Sequence, residues 1–281
     1  MSARRIVESP WSRVAVGIAA VLAIYVPVCS GLVHDWSNFP SMSHGFIVPL
    51  IAAAMLWARR AELDNRLIAP TWWGLPVLVA GLTIYVVGTL ALEPFVARVS
   101  LLISLAGAIV FLAGGSVTRV ILPSLGYLAF MIPLPYVTVH GLTDHLRVIE
   151  ATATASLLPL FGVPVLQDGF LLHLANTTLE VAEVCSSVPA MMSLLALGAA
   201  FGSITHRPRS VHIVLILAAI PLGLLSNIVR ITMTAAGVHY VGMVTLHSVF
   251  HSWHGTMVFL MTVGALTLLD SSLMRLRPSH A

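Results

Sequence analysis

The stretch Val211–Ala236, VHIVLILAAIPLGLLSNIVRITMTAA, decides the fold. It exceeds the roughly 20 apolar residues that cross about 30 Å of hydrocarbon. Its single permanent charge is Arg230, and Asn227 stands one helical turn before it. A run of this length cannot be hidden in a soluble core of ordinary size, so it reads as a membrane-spanning helix. An arginine inside such a helix is expensive and is retained for a purpose.

The rest of the chain repeats the pattern. Hydrophobic residues make up 58% of it and charged residues only 9%, against about 25% in a typical soluble domain, and mean hydropathy is +0.96. The expected fold is all-α, a polytopic bundle of about eight spans in a single integral membrane domain covering 1–281. The spans read as Val14–Val33, Gly45–Ala58, Trp72–Leu92, Phe95–Ala113, Val117–Ile132, Ser187–Ile204, Val211–Ala236 and His251–Leu269, two of them short. Val14–Val33 lacks a convincing small-residue cleavage site and is read as retained rather than as a signal peptide.

The net charge of +3 comes from arginine, since the chain has no lysine. The arginines stand at the ends of apolar runs and give no nucleic-acid-binding patch. Arg4, Arg5, Arg13, Arg59, Arg60, Arg66, Arg119, Arg207, Arg209, Arg275 and Arg277 all fall on one side of an eight-span bundle. The excess of basic loops predicts that this side, with both termini, is cytoplasmic. Arg98 and Arg147 fall on the opposite side.

That outer side carries the long segment Pro133–Glu183. Thr143–Leu158 shows apolar residues at helical spacing (Leu142, Leu146, Ile149, Ala153, Leu157) with Asp144, Arg147 and Glu150 opposite. The pattern predicts an amphipathic helix lying at the interface. Val163–Gln167, Phe170–Leu174 and Leu179–Val184, punctuated by Asp168-Gly169 and Asn176-Thr177, predict a small β-hairpin.

Polar groups at the outer ends of the last three spans suggest chemistry. Cys185 opens the sixth span, with Glu183 and Ser186 beside it. Arg230 lies about 29 Å along the seventh, sharing a face with Asn227. His251 and His254 open the eighth. A thiol, a guanidinium and imidazoles at one depth form the kit for acyl transfer: nucleophile, fixed cation, proton donor. Each also has a plain reading. A lone cysteine is usually a small buried hydrophobe, as Cys29 is read here, and the two cysteines can form at most one bond. An arginine can snorkel to headgroups, interfacial histidines can be idle, and Glu183 and Asn227 can cap or pair locally. A different class also fits: His247, His251 and His254 fall at i, i+4 and i+7, the spacing of a metal- or haem-ligating helix face in a carrier or electron-transfer subunit.

Longer motifs distinguish these readings. Ser43-His44-Gly45-Phe46-Ile47-Val48-Pro49-Leu50 is followed by Trp57-Ala58-Arg59-Arg60, then Met131-Ile132-Pro133-Leu134-Pro135 and Gly162-Val163-Pro164-Val165 ahead of Gly169. Glu180-Val181-Ala182-Glu183-Val184-Cys185-Ser186, Asn227-Ile228-Val229-Arg230-Ile231 and His251 with Gly255 and Phe259 complete the series. Jointly and in this order they resemble the exosortase/archaeosortase family of membrane-embedded cysteine transpeptidases. The resemblance implies Cys185 as nucleophile, Arg230 as the oxyanion-holding arginine and His251, rather than His254, as the proton donor. It implies no metal or organic cofactor. The implied partners are membrane lipid, an acceptor nucleophile, and secreted proteins with a C-terminal sorting tail: a Pro-Glu-Pro-like motif, a transmembrane helix and a basic end. The implied location is a bacterial cytoplasmic (inner) membrane, with the site facing the exterior. One departure stands out: Ser187 occupies the position after Cys-Ser where the family has glycine.

Overall fold

The computed structural model describes residues 10–181, 187–205, 207–246 and 248–275. The chain divides into two compact units, Met1–Leu134 and Pro135–Ala281.

The first unit is helical. α1 (Pro10–Ile24) and α2 (Val26–Asn38) meet at a 68° bend. Pro27 lies in the first turn of α2, where it cannot continue the hydrogen bonding of α1. The buried Tyr25 at the bend directs its hydroxyl to Ser100 Oγ (2.9 Å) and Ser104 Oγ (2.8 Å). A 3₁₀ turn (Pro40–Phe46) leads into α3 (Ile47–Ala58), the short α4 (Arg60–Asp64), α5 (Gly74–Leu90), α6 (Pro94–Ala113) and α7 (Gly115–Tyr127). α5 and α6 cross closely because Gly74, Gly81 and Gly88 present bare backbone to α6. A Cβ on Gly81 would sit 2.4 Å from Ser104 Oγ. Trp36 packs over Gly45, and its indole N–H donates to the Met131 carbonyl at 3.0 Å. Two of the motif segments, Ser43–Leu50 and Met131–Pro135, therefore meet around one indole. Arg98, expected on the outer side, is paired with Asp35 at 2.7 Å.

The second unit begins with α8 (Tyr136–Leu157) and a 3₁₀ turn (Leu158–Phe161). A three-stranded antiparallel sheet follows, β1 (Val165–Asp168), β2 (Leu171–Leu174) and β3 (Thr178–Glu180), in the order β1-β2-β3. Asp168 faces Leu171 across the first turn, where Gly169 takes φ +58°, and His173 faces Thr178 across the second. The expected hairpin is thus present, and the third β-rich segment begins in β3. Leu172 of β2 packs with Ala151 of α8, Val181 and Ile231.

Three long helices complete this unit: α9 (Ser187–Ile204), α10 (Arg209–Val241) and α11 (Ser248–Arg275). α9 and α10 run antiparallel, with Gly202 against His212, Gly198 against Leu215 and Met191 against Gly223. Leu215 and Val211 of α10 form a core with Leu266 of α11.

The all-α polytopic class holds. Five helices are long and apolar enough to cross a membrane: Ser41–Ala58, Pro94–Ala113, Ser187–Ile204, Arg209–Val241 and Gly255–Arg275. The α1–α2 pair makes six if it counts as one bent span. Among the described residues the expected eight are thus not confirmed. The stretch Trp72–Leu92 folds as α5, 17 residues or roughly 26 Å. Val117–Ile132 folds as α7, 13 residues or roughly 20 Å, ending in a 3₁₀ turn (Leu128–Met131).

Candidate active site

The site begins on α8. Thr143, Arg147, Glu150, Ala151 and Thr154 are buried, while Leu142, Val148 and Ile149 are exposed. The polar stripe faces the interior of its unit and the apolar stripe faces out. Beside lipid this is the stable arrangement, because polar groups turn towards other protein polar groups and away from hydrocarbon. Arg147 and Glu150, on the polar face, are buried, and Asp144 alone of that trio stays exposed.

Arg147 is a clamp. Its Nε donates to the carbonyl of Val181. Its Nη2 donates to Glu180 at 2.8 Å and its Nη1 to Asp144 at 3.3 Å. The guanidinium stacks 3.9 Å from the Phe170 ring centroid. The end of β3 is thereby fastened to α8.

One turn further along α8, Glu150 is fully buried. Its Oε1 accepts the backbone N–H of Ser187 at 3.0 Å, and its Oε2 accepts Asn227 Nδ2 at 2.7 Å. Burial pushes the Glu150 carboxyl above the ordinary carboxylate range. Hydrogen bonds from Ser187 and Asn227 and the nearby Arg230 charge oppose that push. Both bonds offer a donor to the carboxyl, which is the environment an ionised group requires. Ser187 opens α9, so the carboxylate also meets one of the four backbone N–H groups that a helix start leaves unpaired.

Asn227 and Arg230 lie on one face of α10, as their spacing predicts. Asn227 is buried. Arg230 lies against α11: a Cβ on Gly255 would be 3.8 Å from both Arg230 Cδ and Nη1. Arg230 Nη2 is buried and has no hydrogen-bond partner among the described residues. A buried, unpaired guanidinium N–H costs about 1–3 kcal/mol or more. The cost disappears when a bound group supplies an acceptor.

Of the expected site residues, Glu183, Cys185 and Ser186 lie outside the described residues, as does His247. Both flanks of the cysteine segment are described, Val181 on Arg147 and Ser187 on Glu150. His251 and His254 are in the first turns of α11, and their side chains lie outside the described groups. Gly255, against which Arg230 packs, comes one helical turn after His251. Among the described residues, no three His, Cys, Asp or Glu side chains gather as a metal-ligand set. Ser187, standing where the family has glycine, is buried and helical. Leu92 is the one non-glycine with positive φ among the described residues, so Ser187 needs no glycine-like backbone. Cys29, in α2, is a free thiol and half-buried.

Sequence reasoning missed Glu150 as part of this site. The signal was the spacing of Thr143, Arg147, Glu150 and Thr154, which repeats at four, three and four residues along one helix face.

No curated protein and no solved structure matches the chain. The family model described as transmembrane exosortase matches residues 36–268, most of the length and both units. The motifs, the apolar helices and the meeting of the cysteine-segment flank with the Asn227–Arg230 turn agree with that match: the chain belongs to the transmembrane exosortase family.

Proposed function

We propose that this multi-pass membrane protein is a cysteine protease and transpeptidase. It cleaves the C-terminal sorting tail of secreted proteins and transfers or releases the cleaved product. It works from a bacterial cytoplasmic (inner) membrane as a single integral domain, with both termini cytoplasmic and the site facing the exterior. The tail helix docks among the enzyme's helices and presents a Pro-Glu-Pro-like motif at the outer leaflet.

The Cys185 thiolate attacks the carbonyl carbon of the scissile peptide. Arg230 donates to the oxyanion that forms on the carbonyl oxygen. His251 gives a proton to the departing amine nitrogen as the C–N bond breaks, leaving a thioester on Cys185. An acceptor nucleophile or water then attacks the thioester and regenerates the thiol. The charge of Arg230 and the start of α9 both favour a thiolate nucleophile.

One observation carries this reading. A single buried carboxylate, Glu150, bonds both Ser187 and Asn227. Ser187 is two residues past Cys185, and two residues of chain reach at most about 7 Å. Asn227 is one turn before Arg230. The flank of the thiol segment and the turn that carries the cation thus share one anchor, and Arg230 Nη2 is buried with no hydrogen-bond partner among the described residues, which supports this reading.

The test is co-expression with a secreted reporter carrying such a tail, scoring cleavage near the motif. Cys185→Ala should abolish cleavage while the protein stays folded in the membrane. Cys185→Ser should be nearly as poor, because a hydroxyl lacks the low pKa that Arg230 exploits. Arg230→Lys keeps the charge but loses the planar fork and should also fail. His254→Ala should be far milder than His251→Ala. Full cleavage by Cys185→Ala ends the proposal.

A further inference from the structure

We infer that Glu150 is a positioning residue for the reaction: its buried carboxylate ties the start of α9 to the Asn227–Arg230 turn of α10, and so sets where the thiol segment meets the guanidinium. This deepens the transpeptidase reading and rests on Cys185 and Arg230 having the roles given above.

The geometry makes Glu150 a three-helix junction. It belongs to α8, bonds the first amide of α9 at 3.0 Å, and bonds Asn227 on α10 at 2.7 Å. The third helix face, that of Arg230, runs on to Gly255 of α11. Each carboxylate oxygen accepts from a protein donor, so the orientation of the carboxyl is set by α9 and α10.

A buried carboxylate is a costly way to hold two helices if packing is the sole aim, since apolar residues of like volume usually serve as well or better. What a carboxylate adds is direction. Two charge-assisted hydrogen bonds fix the start of α9 relative to Asn227 in both distance and angle. The carboxyl also lies near enough to Arg230 to feel its charge. On the other flank, Arg147 holds Val181 to the same helix. The five residues between the flanks include Cys185 and are spanned by two anchors on one face of α8.

The decisive variants exchange the partners. Glu150→Ala removes both bonds. Asn227→Asp places two carboxyl groups at hydrogen-bond distance, and like charges there repel. Combining Asn227→Asp with Glu150→Gln restores a carboxylate–amide pair with the roles reversed, and the new amide can still accept from the Ser187 N–H. On a tailed reporter that the parent protein cleaves, Glu150→Ala and Asn227→Asp should each lower kcat about 10–100-fold, the cost of misplacing reacting groups by about 1 Å. KM should stay within about threefold, because both Glu150 bonds are to protein groups rather than to substrate. The exchanged pair should recover kcat to within about fivefold of the parent. Rates are expressed per folded molecule, so a variant that merely folds poorly shows lower yield at unchanged kcat.

Amide hydrogen exchange gives a readout that needs no substrate. The Ser187 amide should exchange about tenfold faster in Glu150→Ala, the factor a charge-assisted hydrogen bond supplies, and return towards the parent rate in the exchanged pair. A Glu150→Ala kcat within twofold of the parent overturns the inference. So does an exchanged pair no better than Asn227→Asp alone, or an unchanged Ser187 exchange rate. A parent protein that cleaves no tail overturns the enzyme reading and, with it, the catalytic consequence of Glu150. In that event the exchange measurement still decides whether the tether exists.

Discussion

Substituting Gly223 by alanine tests whether the close crossing of α9 and α10 is what aligns the site. A Cβ at position 223 would lie 2.5 Å from Met191 Cγ, 3.0 Å from Met191 Cα and 3.1 Å from Met191 N. The methionine side chain can swing aside, but its backbone cannot. Ordinary carbon contacts need roughly 3.5–4.0 Å, so the two helices must part by roughly 0.5–1 Å at this level. Overpacking of this kind costs about 1–3 kcal/mol. Alanine regains about 1 kcal/mol of helix propensity over glycine, leaving about 0–2 kcal/mol of net loss. For a chain of this size that corresponds to a Tm lower by up to about 8 °C, read by tryptophan fluorescence of detergent-solubilised protein. Two other glycines calibrate the series. Gly198→Ala meets Leu215 O at 3.2 Å and should be close to neutral. Gly264→Ala meets nothing within 4 Å and should gain about 1 kcal/mol from propensity alone. Met191 is one turn beyond Ser187 and Gly223 one turn before Asn227, so Gly223→Ala should also reduce tail cleavage, which Gly264→Ala should not. Equal Tm values for Gly223→Ala and Gly264→Ala would refute the packing argument.

Mass spectrometry of a trapped intermediate should find the substrate acyl group on Cys185, and an adduct on any other residue would reassign the nucleophile. Single cysteines placed at Ala175, Tyr240 and Ser272 test orientation: an impermeant thiol reagent applied outside should label the first two and spare the third. Labelling confined to position 272 would invert the topology. Purified protein should hold no stoichiometric metal or haem, and chelators should leave tail cleavage unchanged. One tightly bound metal per chain, lost in both His251→Ala and His254→Ala, would instead support the carrier reading of the helix-spaced histidines.

The membrane-helical class was legible because lipid leaves a coarse mark. Runs such as Val211–Ala236 must satisfy every backbone group internally, and only helices or closed barrels do so. The sheet was legible from three β-rich segments and from turn residues at Asp168-Gly169 and Asn176-Thr177, because each strand pairs with its neighbour in sequence. Span length was less legible. Hydropathy sees composition, whereas the helix α7 ends at Tyr127 and gives way to the 3₁₀ turn Leu128–Met131, so α7 is left with 13 residues.

The candidate site was legible as types and spacing: a lone arginine in an apolar run, a thiol at the head of another, histidines at the head of a third. Periodicity alone also placed Asn227 with Arg230. What periodicity could not decide was which face of α8 looks inward. An amphipathic helix has two faces, and its pattern is the same whether water or lipid bathes the outer one. Tertiary structure resolved this by giving the polar stripe its partners: Val181 and Glu180 for Arg147, Ser187 and Asn227 for Glu150. Those partners lie 33 to 77 residues away along the chain. Residue pattern can announce that a buried charge needs company; only the packing of three helices decides which residues provide it.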